Sequence, residues 1–202
     1  MLSPRYCTLL LLFLCNSLKA QNFDINMLRS INEKEGHFKD QFFKGAAESV
    51  TFINIGTPVT VYIAGAIKHN KQLKKDAVYM AGAWALSSVI THSVKSLSKR
   101  CRPFDTYPFI VKRDKGGGFS MPSGHTSAAF NTATSLSLVF KKWYVVAPAY
   151  LWASSVAYAR MYQGVHYPTD VLEGALVGAG SSWLCYKAQK WLNKKQLKKS
   201  RS

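Results

Sequence analysis

The amino-acid sequence predicts an all-α fold, a membrane-embedded helical bundle of about five spans that follows an N-terminal signal or anchor segment. Long stretches without a full charge favour helices that cross a bilayer. Small residues such as Gly174 and Gly178 recur in those stretches, and they let helices approach each other closely in lipid. Basic residues cluster at the ends of alternate stretches and give the 202-residue chain a formal net charge of +17.

Residues 1–20 form the leader, which is either a signal peptide or a signal anchor. Arg5 precedes an apolar run over residues 6–14, and Ala20 stands before a candidate cleavage point. Leu18 is larger than the residue usually found three positions before such a cut. A cleaved signal and an uncleaved anchor therefore both fit.

Residues 21–48 are predicted to form an amphipathic segment on the outer face of the membrane. Leu28, Ile31, Phe38 and Phe42 recur there at roughly helical spacing. A helix lying on the membrane surface and a helix packed against other helices both account for this stripe.

The predicted helical bundle, residues 49–192, contains five apolar stretches. The first has eighteen residues without a charge, close to the length that crosses a bilayer. The third is too long to be one helix and is predicted to begin with a loop at its glycine run. The stretches are residues 50–67, 77–94, 116–140, 143–159 and 171–186, of which the last contains Glu173.

The distribution of basic residues predicts the orientation of these spans. If the chain enters from outside, residues 68–75, residues 141–142 and the basic tail, residues 193–202, lie in the cytoplasm, as basic loops usually do. This accounts for much of the net charge without a nucleic-acid partner, and we expect none. The protein is thus predicted to cross the inner membrane several times, with residues 95–122 and 160–170 together on the periplasmic or exterior face.

The first candidate motif is KSLSKRCRP, residues 95–103. Lys95 has a compact ammonium charge, and Arg102 has a planar guanidinium with several N–H donors. This combination is suited to holding phosphate oxygens. Basic residues at the end of a membrane helix also serve as anchors among the headgroups, so this pair alone fits both roles.

The second motif is PSGH, residues 122–125, at the predicted start of a helix. Ser123 is a typical helix cap, and the free N–H groups of the first turn, Gly124 included, attract an anion. His125 beside such a site can donate a proton near neutral pH. A purely structural cap and a packed histidine are the alternative interpretations.

The third motif contains Arg160, His166 and Asp170. Pro168 and Thr169 indicate a helix start, which places Asp170 in the first turn and within reach of His166. A carboxylate that accepts a hydrogen bond from one ring nitrogen fixes the tautomer and leaves the other nitrogen free to attack. The helix dipole alone would also favour Asp170 at this position.

Together the three motifs resemble the signature of the type 2 phosphatidic acid phosphatase superfamily, which includes lipid phosphate phosphatases and is related to the vanadium haloperoxidases. The resemblance covers residues 95–170 and implies a helical, metal-independent phosphoric ester hydrolase that needs no cofactor. Ala159 departs from the family pattern, which usually has Ser there, and one hydroxyl contact is therefore in doubt.

The resemblance also implies a role for each site residue. His166 would attack phosphorus to give a phosphohistidine, Asp170 would orient it, and His125 would protonate the leaving oxygen. The residues implied to hold the phosphoryl oxygens are Lys95, Arg102, Ser123, Gly124 and Arg160.

The implied substrate is a phosphomonoester or diphosphate of a membrane lipid: phosphatidate, phosphatidylglycerol phosphate, an isoprenyl diphosphate or a phosphorylated glycolipid. A soluble secreted acid phosphatase and a vanadate-dependent haloperoxidase would use the same anion pocket, and a non-enzymatic bundle would only bind anionic headgroups. The charge-free stretches argue against a soluble enzyme, and the pair His125 and His166 argues against a mere binder.

Overall fold

The computed structural model describes residues 23–33 and 36–199. The leader, residues 1–20, and the end of the basic tail lie outside these ranges. The described residues form helices and loops without a strand, which confirms the predicted all-α class. The helices are α1 (23–32), α2 (His37–Ile67), α3 (Lys71–Ser98), α4 (Pro103–Thr106), α5 (Gly124–Phe140), α6 (Trp143–Tyr162) and α7 (Pro168–Lys199).

The predicted amphipathic segment is divided between two helices. Leu28 and Ile31 of α1 are buried in the apolar core that also contains Tyr162. Phe38 and Phe42, at the start of α2, are 79% and 51% exposed. The first half of the stripe is therefore a packing surface, and the predicted boundary between residues 48 and 49 falls inside α2.

The predicted spans lie on the five long helices α2, α3, α5, α6 and α7. The glycine run of the third stretch is a loop, as predicted, since α5 begins at Gly124. By length and composition, α2 is the one helix among the described residues that meets the requirements for crossing a membrane. The other long helices also carry exposed apolar side chains, such as Val89, Leu151 and Leu176, and the number of spans stays a prediction.

Helices α5 and α7 cross with their backbones almost in contact. A Cβ atom added to Gly174 would lie 2.6 Å from the Ser123 carbonyl oxygen, and one added to Gly178 would lie 2.1 Å from that of Ser127. Only glycine permits this approach, because any side chain would overlap the opposing backbone. At the end of the crossing, the Ser123 N–H donates to the Asp170 carbonyl at 2.9 Å, so the packing brings the second and third motifs together.

Short polar side chains join α3 to the same pair of helices. The Ser127 hydroxyl lies 2.7 Å from Ser87 Oγ and accepts a hydrogen bond from Thr91 Oγ1 at 3.0 Å. Asn131 Nδ2 donates to the carbonyls of Ala83 and Gly178, each at 3.1 Å. These buried bonds fix α3 against α5 and α7, which places the first motif at the same end of the bundle.

Candidate active site

His166 lies in the loop before α7 and is only 2% exposed. Its Nδ1 is 3.5 Å from Asp170 Oδ2, and its Nε2 is 3.4 Å from Arg102 Nη1. Burial lowers the pKa of this imidazole to about 4, although the neighbouring Asp170 carboxylate opposes the shift. The ring is therefore neutral at pH 7. With the proton on Nδ1 facing the carboxylate, Nε2 keeps its lone pair on the side of the arginine.

Asp170 is fully buried, and its side chain is held by several donors. Oδ2 accepts hydrogen bonds from the Tyr167 N–H at 2.9 Å and from the Ser120 hydroxyl. Because Ser120 Oγ also lies 3.5 Å from His166 Nδ1, the three side chains form one compact group. A buried carboxylate surrounded by donors stays ionised and keeps a fixed orientation.

Arg102 binds the glycine run that precedes α5. Its Nε donates to the Gly118 carbonyl at 3.0 Å, and its Nη2 donates to the Gly117 carbonyl at 2.7 Å. Nη1 donates to the Val165 carbonyl at 2.8 Å while facing His166. One guanidinium thus connects the first motif, the glycine run and the third motif.

Arg160 is 2% exposed and pairs with Asp114, for which the sequence analysis assigned no role. Its Nη1 donates to Asp114 Oδ2 at 2.6 Å and to Gln163 Oε1 at 2.8 Å. Burial by itself raises the pKa of Asp114, but the Arg160 and Lys115 hydrogen bonds outweigh it and lower that pKa. The buried Nε of Arg160 has no hydrogen-bond partner, so this cation retains a donor for an anion.

Lys95 reaches the loop between the first and second motifs. Its Nζ donates to the Phe119 carbonyl at 2.6 Å and to the Ser120 carbonyl at 3.3 Å. The lysine therefore supports the segment that carries Ser120, and it interacts electrostatically with Arg102, Arg160 and Asp170.

Ser123 caps α5, as one interpretation of the second motif expects. It is fully buried, and its Oγ accepts from the Thr126 N–H at 3.5 Å and from the Thr126 hydroxyl at 2.9 Å. Gly124 is the first residue of the helix, and its missing side chain leaves the helix N-terminus open. The structure thus assigns the Ser123 hydroxyl a capping role, and a contact with phosphate stays a prediction.

His125 follows in the first turn of α5 and is partly buried. It lies close enough to Arg160, Asp114 and Arg102 to interact with them electrostatically. It also lines a cavity of about 250 Å³ between α2, α3 and α5, together with His92. All eight residues predicted for the site are accordingly gathered at one end of the bundle.

Four further residues belong to this end of the bundle and were not predicted. Ser120 and Asp114 are on the loop between the first two motifs, where serine and aspartate are common without a special role. Arg100 lies inside the first motif and could have been singled out by its position. Asp24 carries no signal in the sequence, because its contacts reach residues far along the chain. Within the described residues, no group of three or more His, Cys, Asp or Glu side chains is arranged to hold a metal ion.

Curated proteins match parts of the chain, among them two that are named as phosphatases acting on different lipids. A lipid A 4'-phosphatase of Bacteroides thetaiotaomicron is 38% identical over 84 residues, which are 42% of this chain and 37% of that protein. An undecaprenyl-diphosphatase of Sulfolobus acidocaldarius is 30% identical over 115 residues, which are 56% of this chain and 55% of that protein. The chain thus matches little more than a third of the first relative's length and little more than half of the second's.

Solved crystal structures share the fold, and two of them are compared with this chain. LpxE of Aquifex aeolicus superposes with a TM-score of 0.73 at 27% identity, covering 82% of this chain and 95% of that one. A transmembrane PAP2 type phosphatidylglycerolphosphate phosphatase of Bacillus subtilis gives a TM-score of 0.70 at 23% identity, covering 96% of this chain and 98% of that one. The second likeness shows the fold alone, a transmembrane helical bundle.

A family model connects these likenesses to the site. The model of the PAP2 superfamily matches residues 76–194, a range that contains all three motifs, the whole of α4, α5 and α6, and most of α3 and α7. The match covers more than half of the chain and confirms the resemblance of the three motifs to this superfamily. The chain belongs to the PAP2 superfamily.

Proposed function

We propose that this protein is a membrane phosphatase that hydrolyses a phosphomonoester or diphosphate of a lipid through a phosphohistidine intermediate. The observation that carries the proposal is the position of His166, with Nδ1 facing Asp170 and Nε2 facing Arg102. A neutral imidazole held in this way offers a lone pair toward a group that binds phosphate oxygens. Membership of the PAP2 superfamily and relatives named as lipid phosphatases support the reaction class.

In the first chemical step, His166 Nε2 attacks phosphorus and forms a P–N bond. The bond from phosphorus to the lipid oxygen breaks, and the oxygen leaves with the electron pair. It takes a proton from His125, which enters this step as an imidazolium and becomes neutral. Asp170 stabilises the positive charge that develops on the His166 ring. The products of this step are the dephosphorylated lipid and phosphohistidine.

In the second step, water attacks the phosphorus of the phosphohistidine. His125, now neutral, accepts a proton from this water, and the P–N bond breaks with its electron pair returning to Nε2. Inorganic phosphate leaves and both histidines regain their starting protonation. No step of this cycle requires a metal ion or a redox partner.

The charge on the transferred phosphoryl group is opposed by fixed donors. Arg160 offers its unpartnered buried Nε, while Arg102 already faces the attacking nitrogen. These groups are held by carboxylate and carbonyl partners before substrate arrives, so little reorganisation is needed in the transition state. We propose that Lys95, Arg102, Ser123, Gly124 and Arg160 hold the phosphoryl oxygens.

We propose a lipid substrate and an outward-facing site at the inner membrane. The site lies at one end of a bundle whose other end carries the lysine-rich turn after α2 and the end of α7, as the positive-inside rule expects. At this end of a membrane-spanning bundle the site would meet lipid headgroups, and the cavity beside His125 lies between α2, α3 and α5. Both named relatives act on phosphate groups carried by membrane lipids, and that shared chemistry is the substrate class we assign.

The test is phosphate release by the purified full-length chain in detergent micelles. The panel contains phosphatidate, phosphatidylglycerol phosphate, an undecaprenyl diphosphate and a lipid A carrying a 4'-phosphate. We expect release from at least one lipid and loss of about 10³-fold or more in the His166→Ala variant, with His37→Ala as the control. Full activity of His166→Ala would exclude the mechanism, and bromide oxidation with added vanadate would favour the haloperoxidase alternative.

A further inference from the structure

Arg100 contacts the face of Asp170 that is turned away from His166. Its Nη1 donates to Asp170 Oδ1 at 2.7 Å and to Thr169 Oγ1 at 2.7 Å. The guanidinium carbon lies 3.9 Å from the centroid of the Tyr167 ring. The arginine is thus fixed by a carboxylate and a hydroxyl of the first turn of α7 and by the ring of Tyr167, on the loop that also carries His166.

Asp24, on α1, holds the other end of the same guanidinium. Arg100 Nη2 donates to Asp24 Oδ2 at 2.7 Å. Asp24 Oδ1 accepts from the Thr169 N–H at 3.0 Å, and Oδ2 accepts from the Thr169 hydroxyl at 2.6 Å. Asp24 is 2% exposed, so a buried carboxylate of α1 binds both Arg100 and the N-terminal turn of α7.

The two oxygens of Asp170 are therefore used differently. Oδ2 faces His166, Ser120 and the Tyr167 N–H, whereas Oδ1 is bound by Arg100. A carboxylate held at both oxygens cannot rotate, so Oδ2 stays directed at the imidazole. Without a cation on Oδ1, a fully buried carboxylate would lose the ion pair that keeps it charged.

The charges also explain why Arg100 differs from the phosphate-binding arginines. Arg100 is paired with two carboxylates, Asp24 and Asp170. Arg160 has one carboxylate partner and a free Nε, which suits it to an incoming anion. Arg100 is neutralised on both sides, and its donors are used by Asp24 on α1 and by Thr169 and Asp170 at the start of α7.

We propose that Arg100 is a positioning residue for the reaction, held in place by Asp24, which orients the Asp170 carboxylate toward His166. The inference rests on the proposed function of His166 and Asp170. It gives α1, which lies outside the range matched by the family model, an indirect role in orienting Asp170. Neither residue touches the substrate in this account.

The experiment compares Arg100→Gln, Asp24→Asn and the double variant in the full chain, purified in detergent. We expect Arg100→Gln to lower kcat about 10- to 100-fold with KM changed less than about threefold. Loss of the cation also makes Asp170 protonate at a higher pH, so the acidic limb of kcat/KM should move upward. Arg100→Lys should recover part of kcat, and the double variant should be no worse than Arg100→Gln.

Controls separate this inference from general damage. Arg29→Gln changes an arginine of α1 itself, which forms an exposed ion pair with Glu33, and should leave kcat unchanged. The thermal melt of each variant shows whether it folds. If Arg100→Gln does not fold, a folded Asp24→Asn variant carries the test, with a lower kcat and the same upward shift of the acidic limb.

Several results would overturn the inference. One is an unchanged kcat and pH profile in folded Arg100→Gln or in folded Asp24→Asn. Another is a rise in KM at constant kcat, because that result would make Arg100 a substrate-binding residue. His166→Ala is assayed in parallel to separate the two proposals. If His166→Ala is inactive while Arg100→Gln is unaffected, only the positioning role fails; if His166→Ala is active, the proposed function itself fails.

Discussion

His166 Nδ1 lies 3.5 Å from Asp170 Oδ2, a distance slightly longer than a normal hydrogen bond. The Ser120 hydroxyl bonds to the same oxygen and lies 3.5 Å from the same ring nitrogen. A contact of this length can shorten when the imidazole gains positive charge during the attack on phosphorus. In the proposed mechanism, this contact orients the ring before the attack and strengthens as the ring becomes charged.

Replacing Asp170 by Asn should lower kcat by about 10²- to 10⁴-fold with little change in KM. An amide keeps the shape of the side chain but cannot stabilise the charged His166 ring. The measurement is steady-state phosphate release from the lipid that the wild type hydrolyses best. Glu48→Gln, which alters an exposed carboxylate paired with Lys44, is the control. A kcat near that of the wild type would show that Asp170 only stabilises the N-terminus of α7.

The effect of His125→Ala should depend on the leaving group. A lipid alkoxide needs a proton as it departs, whereas nitrophenolate leaves readily without one. We expect the variant to lose at least about tenfold more activity on the lipid phosphate than on p-nitrophenyl phosphate. Equal losses on both substrates would contradict the assignment of His125 as the proton donor.

The buried state of His166 predicts a pH dependence of stability. The folded protein holds its pKa at about 4, against 6.5 for an ordinary histidine, so the unfolded chain binds more protons between these values. Stability should therefore fall as the pH is lowered from 6.5 to 4. His166→Gln has no group at this position that titrates between pH 6.5 and 4, so it lacks this loss of stability. Asp170, Arg102 and Arg160 surround the position in both proteins.

Thermal melts in detergent across this pH range check the prediction. Relative to its own value at pH 7, the apparent Tm of the wild type should fall more than that of His166→Gln, by a few degrees at pH 4. Parallel curves for the two proteins would mean that His166 titrates normally and is not desolvated.

Gly178→Ala should destabilise the bundle and reduce activity. The added Cβ would lie 2.1 Å from the Ser127 carbonyl oxygen and would force α5 and α7 apart. Gly180→Ala is a matched control on the same helix, since a Cβ there meets no atom within 4 Å. We expect a loss of about 1–3 kcal/mol for the first variant and little change for the second, seen as a Tm difference. Similar melting temperatures would show that the helices separate freely.

The sequence predicted the helices and the three motifs because both depend on local signals. Charge-free stretches outlined the long helices, and the small residues Gly174 and Gly178 indicated the close crossing that the structure contains. The spacing of His166 and Asp170 at the start of a helix was sufficient to expect their contact. These features need no knowledge of which helices are neighbours.

Contacts between distant segments could not be predicted in the same way. Asp24 and Arg100 are 76 positions apart, and Arg160 reaches Asp114 across 46. A single sequence shows an acidic residue in α1 but not the guanidinium against which it packs. The stripe of α1 likewise left a membrane surface and a protein core as alternatives, and only the packing of Leu28 and Ile31 decided between them.

The most direct test of the account is to find the phosphate on His166. The wild type and His125→Ala are incubated with lipid labelled at the phosphate, quenched in alkali, digested and examined by mass spectrometry. We predict an alkali-stable, acid-labile phosphate on the peptide that contains His166, and none in His166→Ala. Turnover without labelling of His166, or labelling of another residue that accounts for the turnover, would contradict the mechanism.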